Sequence, residues 1–232
     1  MKEKRTTGGE AAALLRFLEE LREHNDREWF QSNRWRYEPL RDWFIGTVED
    51  MIARLSAVDE RLAGLSAKNC LYRINRDLRF SADKTLYKTH FGAYMAQGGK
   101  CSPYAGYYLH IEPGSCILAG GVWQPEPKLL KALRKDLSEW GEEFAAIVEE
   151  PTFKRYFPAI DGDRLKCAPA GYHKDHPNIH YLCYKSFCVT HSLPDAFFLK
   201  ADWVDEAVKI FSKLLPFNTF LNATVDDFFS VE

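Results

Sequence analysis

The hydrophobic period of this chain changes twice, and the two changes limit the folds open to it. Leu14, Leu15, Phe17, Leu18 and Leu21 recur at threes and fours, as do Trp29, Phe30, Tyr37, Leu40, Trp43, Phe44, Val48, Met51, Ile52 and Leu55. That spacing lays an apolar stripe along a helix. From Leu71 to Phe80 the period falls to two. Arg73, Asn75, Asp77 and Arg79 alternate with Tyr72, Ile74, Leu78 and Phe80, and only Arg76 interrupts the apolar set. At Pro127 the helical spacing returns with Leu129, Leu130, Leu133 and Leu137. A helix-period pattern does not hold as a strand, nor the reverse. The predicted fold class is therefore α+β: a single domain with a central antiparallel or mixed sheet, flanked by N- and C-terminal helices.

Local signals fill in the order of elements. The first helix ends near His24. Asn25 then reads as an N-cap, with Glu28 in capping-box position. Pro39 is expected to kink or divide the helix that follows. Leu71–Phe80 reads as a strand with one apolar and one charged face, and Phe91–Met95 as a weaker strand. Tyr107–Glu112 and Cys116–Trp123 read as a hairpin around Pro113-Gly114. Gly120-Gly121 marks a bulge or a close backbone approach. Pro127 suits the first turn of a helix, Lys185–Thr190 reads as a strand, and a helix near the C-terminus is expected to stop at Pro216. Residues 1–9 read as a disordered leader and 10–232 as the single domain.

Charge singles out one window. Lys68 to Gly92 holds six of the 31 basic residues and two of the 33 acidic ones, a local balance of +4 in a chain of net charge −2. An acidic chain of this kind is not expected to coat nucleic acid generally. The six cysteines show no C-x-x-C spacing, so no zinc knuckle and no thioredoxin-type pair is expected. The N-terminus lacks the apolar run of a signal peptide, and no stretch approaches the ~20 apolar residues of a membrane helix. The expectation is a cytoplasmic protein with no membrane partner.

The core of the charged window, Arg73-Ile-x-Arg76-Asp77-x-Arg79-Phe80-Ser81-x-Asp83-Lys84-x-x-Tyr87-Lys88-Thr89, resembles the signature of a bacterial family of conserved hypothetical proteins, domain-of-unknown-function family 2461. The likeness extends upstream to Phe17-Leu18-x-x-Leu21 and Asn25-Asp26-Arg27-Glu28-Trp29-Phe30. Downstream it takes in Tyr107-Tyr108-Leu109-His110-Ile111-Glu112, Gly120-Gly121-x-Trp123-x-Pro125, Leu165-Lys166 and Pro169-x-Gly171, so it covers about residues 14–215. The resemblance implies one domain and carries no activity and no catalytic residues with it.

The residues themselves suggest a site. On a strand, Arg73, Asn75, Asp77 and Arg79 point to one face at about 6.6–6.8 Å intervals. Such forked donors either close an Arg–Asp–Arg network or present themselves to a carboxylate or phosphate. Lys84 and Lys88 share a face if the segment from Ser81 is helical. The candidate ligand-binding set is Arg73, Arg76, Arg79, Lys84, Lys88 and His110. Asp77 and Asp83 are the candidates for catalysis and, with Glu112, for a divalent metal, which is possible although no cofactor is predicted. Ser81-x-x-Lys84 has Ser–Lys spacing but lacks the accompanying S-D-N element, so Ser81 reads as a cap. His173, His176 and His180 have ligand-like spacing broken by Pro177.

Two functional readings follow. The first is a basic cleft for a small phosphorylated or carboxylated ligand, with phosphoryl-group chemistry as its enzymatic form and nucleic acid as a less favoured partner. The second is a non-enzymatic structural or protein-interaction module, whose Arg/Asp motif is an internal salt-bridge network. Reaction and oligomeric state are left open.

Overall fold

The first helical stretch becomes three helices in a computed structural model that describes residues 8–79 and 83–230. Helix α1 (Gly8–Glu23) buries Leu14, Leu15, Phe17, Leu18 and Leu21. Helix α2 (Arg27–Ser32) starts one residue later than the capping box predicts: Asp26, not Asn25, is the cap, and its carboxylate accepts from the Trp29 N–H at 2.8 Å. Helix α3 (Arg34–Leu55) runs unbroken through Pro39, and the chain divides at Asn33 instead. Pro39 removes one N–H, while Leu40, Phe44, Val48, Met51 and Leu55 keep a continuous buried face. Burial of that face outweighs the missing bond.

After helix α4 (Ala67–Cys70) the predicted strand Leu71–Phe80 is not formed as such. Phe80 lies outside the described residues. The rest is held by two isolated antiparallel bridges, Leu71 to Ala93 and Asn75 to Tyr87. Between them four residue steps on one side face six on the other. Two extra residues must therefore leave the ladder, which bends at Thr89 and His90. This is a bulge, and bulges re-aim side chains.

Strands β1 (Phe91–Met95), β2 (Gly106–Ile111) and β3 (Cys116–Val122) lie where the alternation places them. The β2–β3 turn carries Gly114 at φ +76°, and the Ser115 N–H donates to the Glu112 carbonyl at 2.9 Å. Then follow helices α5 (Pro127–Glu139), α6 (Gly141–Val148) and α7 (Pro151–Tyr156), strand β4 (Ile160–Asp161), helix α8 (Ile179–Leu182), strand β5 (Phe187–Leu193), and helices α9 (Asp195–Phe198), α10 (Trp203–Phe211) and α11 (Leu215–Ser230). Pro127 opens α5 as expected. The helical run of α10 ends at Leu214, just before Pro216 as expected, and Pro216 sits in the first turn of α11, where its missing N–H has no intrahelical partner to lose.

Among the described residues the strands form one antiparallel sheet in the order β1-β2-β3-β5-β4, and the α+β class holds. The chain divides into two compact units, each assembled from separated segments, so no linker is visible in the sequence. The first comprises the described residues up to Lys100 together with 108–118 and 192–209. In it α1 packs on α3, and Phe17, Phe44, Met51 and Trp203 are fully buried. The second comprises 101–107, 119–191 and the described residues from 210. In it α11 packs on α5 and α6, and Tyr107, Phe144, Phe187, Phe211 and Phe217 are fully buried.

The close approach predicted at Gly120-Gly121 is present. Gly121 has φ +106°, and a Cβ there would stand 2.0 Å from the Phe187 carbonyl oxygen. Gly114 is also left-handed, but nothing lies within 4 Å of its added Cβ. Gly121→Ala should therefore cost about 3 kcal/mol or more, backbone strain and overpacking together. Gly114→Ala should cost only about 1 kcal/mol of strain. Urea unfolding of both variants checks the ranking.

Candidate functional site

The candidate site lies within the first unit and starts from the bulge. Tyr87, just before it, has its backbone paired on one side through the bridge to Asn75. On the other side the Asn25 side chain takes the place of a strand. The Tyr87 N–H donates to Asn25 Oδ1 and Asn25 Nδ2 donates to the Tyr87 carbonyl, both at 2.9 Å. The Tyr87 ring is buried and stacks on Phe30 at 4.1 Å. Held this way, the chain leaves the ladder at Thr89 and His90 and presents both to strand β2.

Strand β2 alternates as its sequence requires. Tyr107, Leu109 and Ile111 are fully buried, and Tyr108 and His110, followed by Glu112, share the other, half-buried face. They form a hydrogen-bonded row. Tyr108 Oη lies 2.8 Å from His110 Nδ1, and His110 Nε2 lies 3.1 Å from Glu112 Oε2. From the bulge, Thr89 donates its hydroxyl to Glu112 Oε1 at 2.6 Å, and the His90 ring stacks on His110 at 4.3 Å between centroids. Arg22 stands 3.7 Å from Glu112 and donates to the Pro113 carbonyl. Gly92 leaves room for the row, since a Cβ there would sit 2.9 Å from the Tyr108 hydroxyl. His90, His110 and Glu112 each offer a ligand atom within 4.8 Å of the others.

The environment fixes the charges. Burial, with the charge of His110 second, depresses His90 to about 4, so its ring is neutral near pH 7. Burial pushes the Tyr108 phenol up. Burial alone would raise Glu112, but the hydrogen bonds from Thr89 and His110 outweigh it and hold the carboxyl low. Lys88 is lowered by burial and then by Arg73 and Arg76, and its ammonium lies 5.2 Å over the Tyr72 ring. A cavity of about 400 Å³ lined by Arg76, Asp77, Lys88, Thr89, His90 and Glu112 opens beside the row.

A larger cleft, about 750 Å³, shares Arg76 and His90 with that cavity. Its lining includes Arg27, Arg34, Arg41, Lys68, Arg73, Arg76 and Lys100 and, among the described residues, no Asp or Glu. Arg34 pairs with Glu38, Arg41 with Asp42 and Arg76 with Asp83. Arg27, Lys68 and Lys100 form no ion pair among the described residues, and Arg73 forms none within 4.0 Å although its charge helps to hold the Asp77 carboxyl low. Phe30, Tyr37, Tyr72, Tyr87 and Phe91 supply its aromatic wall.

The structure thus divides the predicted residues. Arg73 and Arg76 line the large cleft, Lys88 and Asp77 line the small cavity, and His110 and Glu112 stand in the row. Arg79 and Lys84 line neither. Arg79 is held by Asp77 in an exposed bidentate pair at 2.6–3.2 Å and does not line the cleft with Arg73. Lys84 and Lys88 share no helical face, because residues 83–90 are not helical, and Ser81 lies outside the described residues. Asp77 and Asp83 do not join Glu112 in a ligand set. Arg79 holds the Asp77 carboxyl low, and the Thr85 N–H, with Arg76 further down, does the same for Asp83. The residue of this cluster that sequence reasoning missed is His90. Its signal was a histidine at the head of one strand beside a His-x-Glu pair on the next.

The family model described as Conserved hypothetical protein (DUF2461) matches residues 13–220. No curated protein and no solved structure matches the chain.

Two outcomes follow from this geometry. Asn25→Ala should cost about 2–3 kcal/mol, because two hydrogen bonds are lost and both Tyr87 backbone groups lose their partner; chemical denaturation measures it. His90 binds its proton more readily unfolded than folded, and Glu112 likewise. Both therefore contribute stability that is present at neutral pH and lost on acidification, in the case of His90 as pH falls from 6.5 towards 4. A titration of the imidazole NMR signals should place His90 near 4, and His90→Gln should flatten the fall in stability across that window.

Proposed function

From the premise that this chain belongs to the DUF2461 family of conserved hypothetical proteins, we propose that it binds a small phosphorylated ligand in the basic cleft. The observation that carries the reading is the cleft lining: among the described residues it holds seven Lys or Arg side chains and no carboxylate, and Arg27, Lys68 and Lys100 form no ion pair. Like charges gathered without counter-charges repel one another, and a bound anion removes that cost. The number of cations favours a ligand with two or more negative charges, hence phosphate over carboxylate. A volume of about 750 Å³ suits a small molecule of nucleotide size. The aromatic wall suits a ligand with a planar group beside its phosphates.

The second reading, an internal salt-bridge network, has its own observation. Arg79 with Asp77 and Arg76 with Asp83 are satisfied within the motif. It accounts for those pairs and for the pull of Arg73 on Asp77, and leaves Arg27, Lys68 and Lys100 unexplained.

The test is a calorimetric titration with inorganic pyrophosphate and with a nucleoside diphosphate, at low and high salt, in the presence of a chelator. Arg73→Ala should weaken binding by about 1.5–3 kcal/mol, the scale of a hydrogen bond to a charged group, or roughly 10- to 150-fold, with stability nearly unchanged. Arg79→Ala should leave binding within about twofold of wild type, because that guanidinium lies outside the cleft. Absence of anion binding in the wild type, with stability lost on Arg73→Ala, would replace this reading by the structural one.

A further inference from the structure

We infer that His90, His110 and Glu112 form a binding site for one divalent transition-metal ion. One ring nitrogen of His90, one of His110 and a carboxylate oxygen of Glu112 lie within 4.8 Å of one another, and His110 Nε2 is the nitrogen that faces Glu112, at 3.1 Å from Oε2. A two-histidine, one-carboxylate set with nitrogen and oxygen donors suits zinc, iron(II) and their neighbours, and leaves coordination positions open. An ordinary His–Glu hydrogen bond explains why His110 and Glu112 meet. It does not explain His90, a half-buried imidazole stacked on His110 with neither nitrogen hydrogen-bonded among the described residues.

The groups behind the ligands support the assignment. Metal-bound histidine needs a partner on its other nitrogen, and bound carboxylates need hydrogen bonds of their own. His110 Nδ1 already meets the Tyr108 hydroxyl, which accepts as readily as it donates and so fits either tautomer. Glu112 Oε1 accepts from Thr89, so an ion would bind Oε2 by replacing the proton of its hydrogen bond with His110 Nε2. The open side faces the cavity of about 400 Å³ where Arg76 and Lys88 stand. Those cations disfavour a bare ion and favour one that carries an anionic outer ligand, such as a phosphate oxygen or hydroxide.

The site is tested without any phosphorylated ligand, so its failure is separate from failure of the anion reading. Chelator-treated protein is titrated with Co²⁺, following the visible absorption of the bound ion, and with Zn²⁺ by calorimetry. One ion per chain is expected. His90→Ala and Glu112→Gln should each weaken binding at least about 100-fold, and Tyr108→Phe by about 10-fold, the scale for loss of a supporting hydrogen bond. Asp83→Asn, outside both cavities, should leave the affinity unchanged. Circular dichroism without metal shows whether each variant is folded. If His90→Ala is not, Glu112→Gln and Tyr108→Phe decide, since both keep the shape of the side chain. A wild type that takes up no ion, or folded variants that bind as tightly as wild type, would overturn the assignment.

Discussion

Two hydrogen bonds between the Asn25 side chain and the Tyr87 backbone hold the part of the structure on which the candidate site rests. A strand end with no neighbour leaves an N–H and a carbonyl that must be satisfied somewhere. Here one amide side chain satisfies both. Because Tyr87 is also pinned by Phe30, the residues after it cannot slide to recover the register lost between the two bridges. Thr89 and His90 are therefore displaced toward β2, where Glu112 and His110 meet them. The chain thus couples an asparagine just ahead of helix α2 to the direction of an imidazole 65 positions later in the sequence.

Electrostatics works in the same region by different means in two places. In the row on β2, every charge that exists is held by a neighbour, and burial keeps His90 neutral. In the large cleft, cations accumulate with few partners. Lys88 lies near both sets and shows the consequence, since burial and the nearby Arg73 and Arg76 make its proton easier to lose. Solvent-facing pairs such as Arg79 with Asp77 contribute little to stability, so the motif is not explained as a structural brace alone.

Much of this was legible from pattern. Phe91–Met95 and the hairpin of β2 and β3 follow from alternation, and Pro127 from its place before an apolar stripe. The fold class follows from the two changes of period. The misreadings share a cause. Leu71–Phe80 alternates like a strand, but pairing depends on the length of chain between contacts, and no local pattern records the two surplus residues at Thr89 and His90. Arg79 sits on the expected side of an ideal strand and leaves it once the ladder ends. Pro39 suggests a break, but tertiary burial carries α3 through it. Asn25 was read as a cap for its own helix, when its partner lay 62 residues away.

The surplus at Thr89 and His90 makes the site depend on a count as well as on identities. Removing both residues would bring the two bridges into one register and let the ladder run on as a regular strand. Such a chain would have a better sheet and no row. Sheet regularity and the row therefore compete for the same stretch of backbone. Among related chains, an insertion or deletion between Tyr87 and Phe91 would say more about whether the site is kept than any single substitution within it.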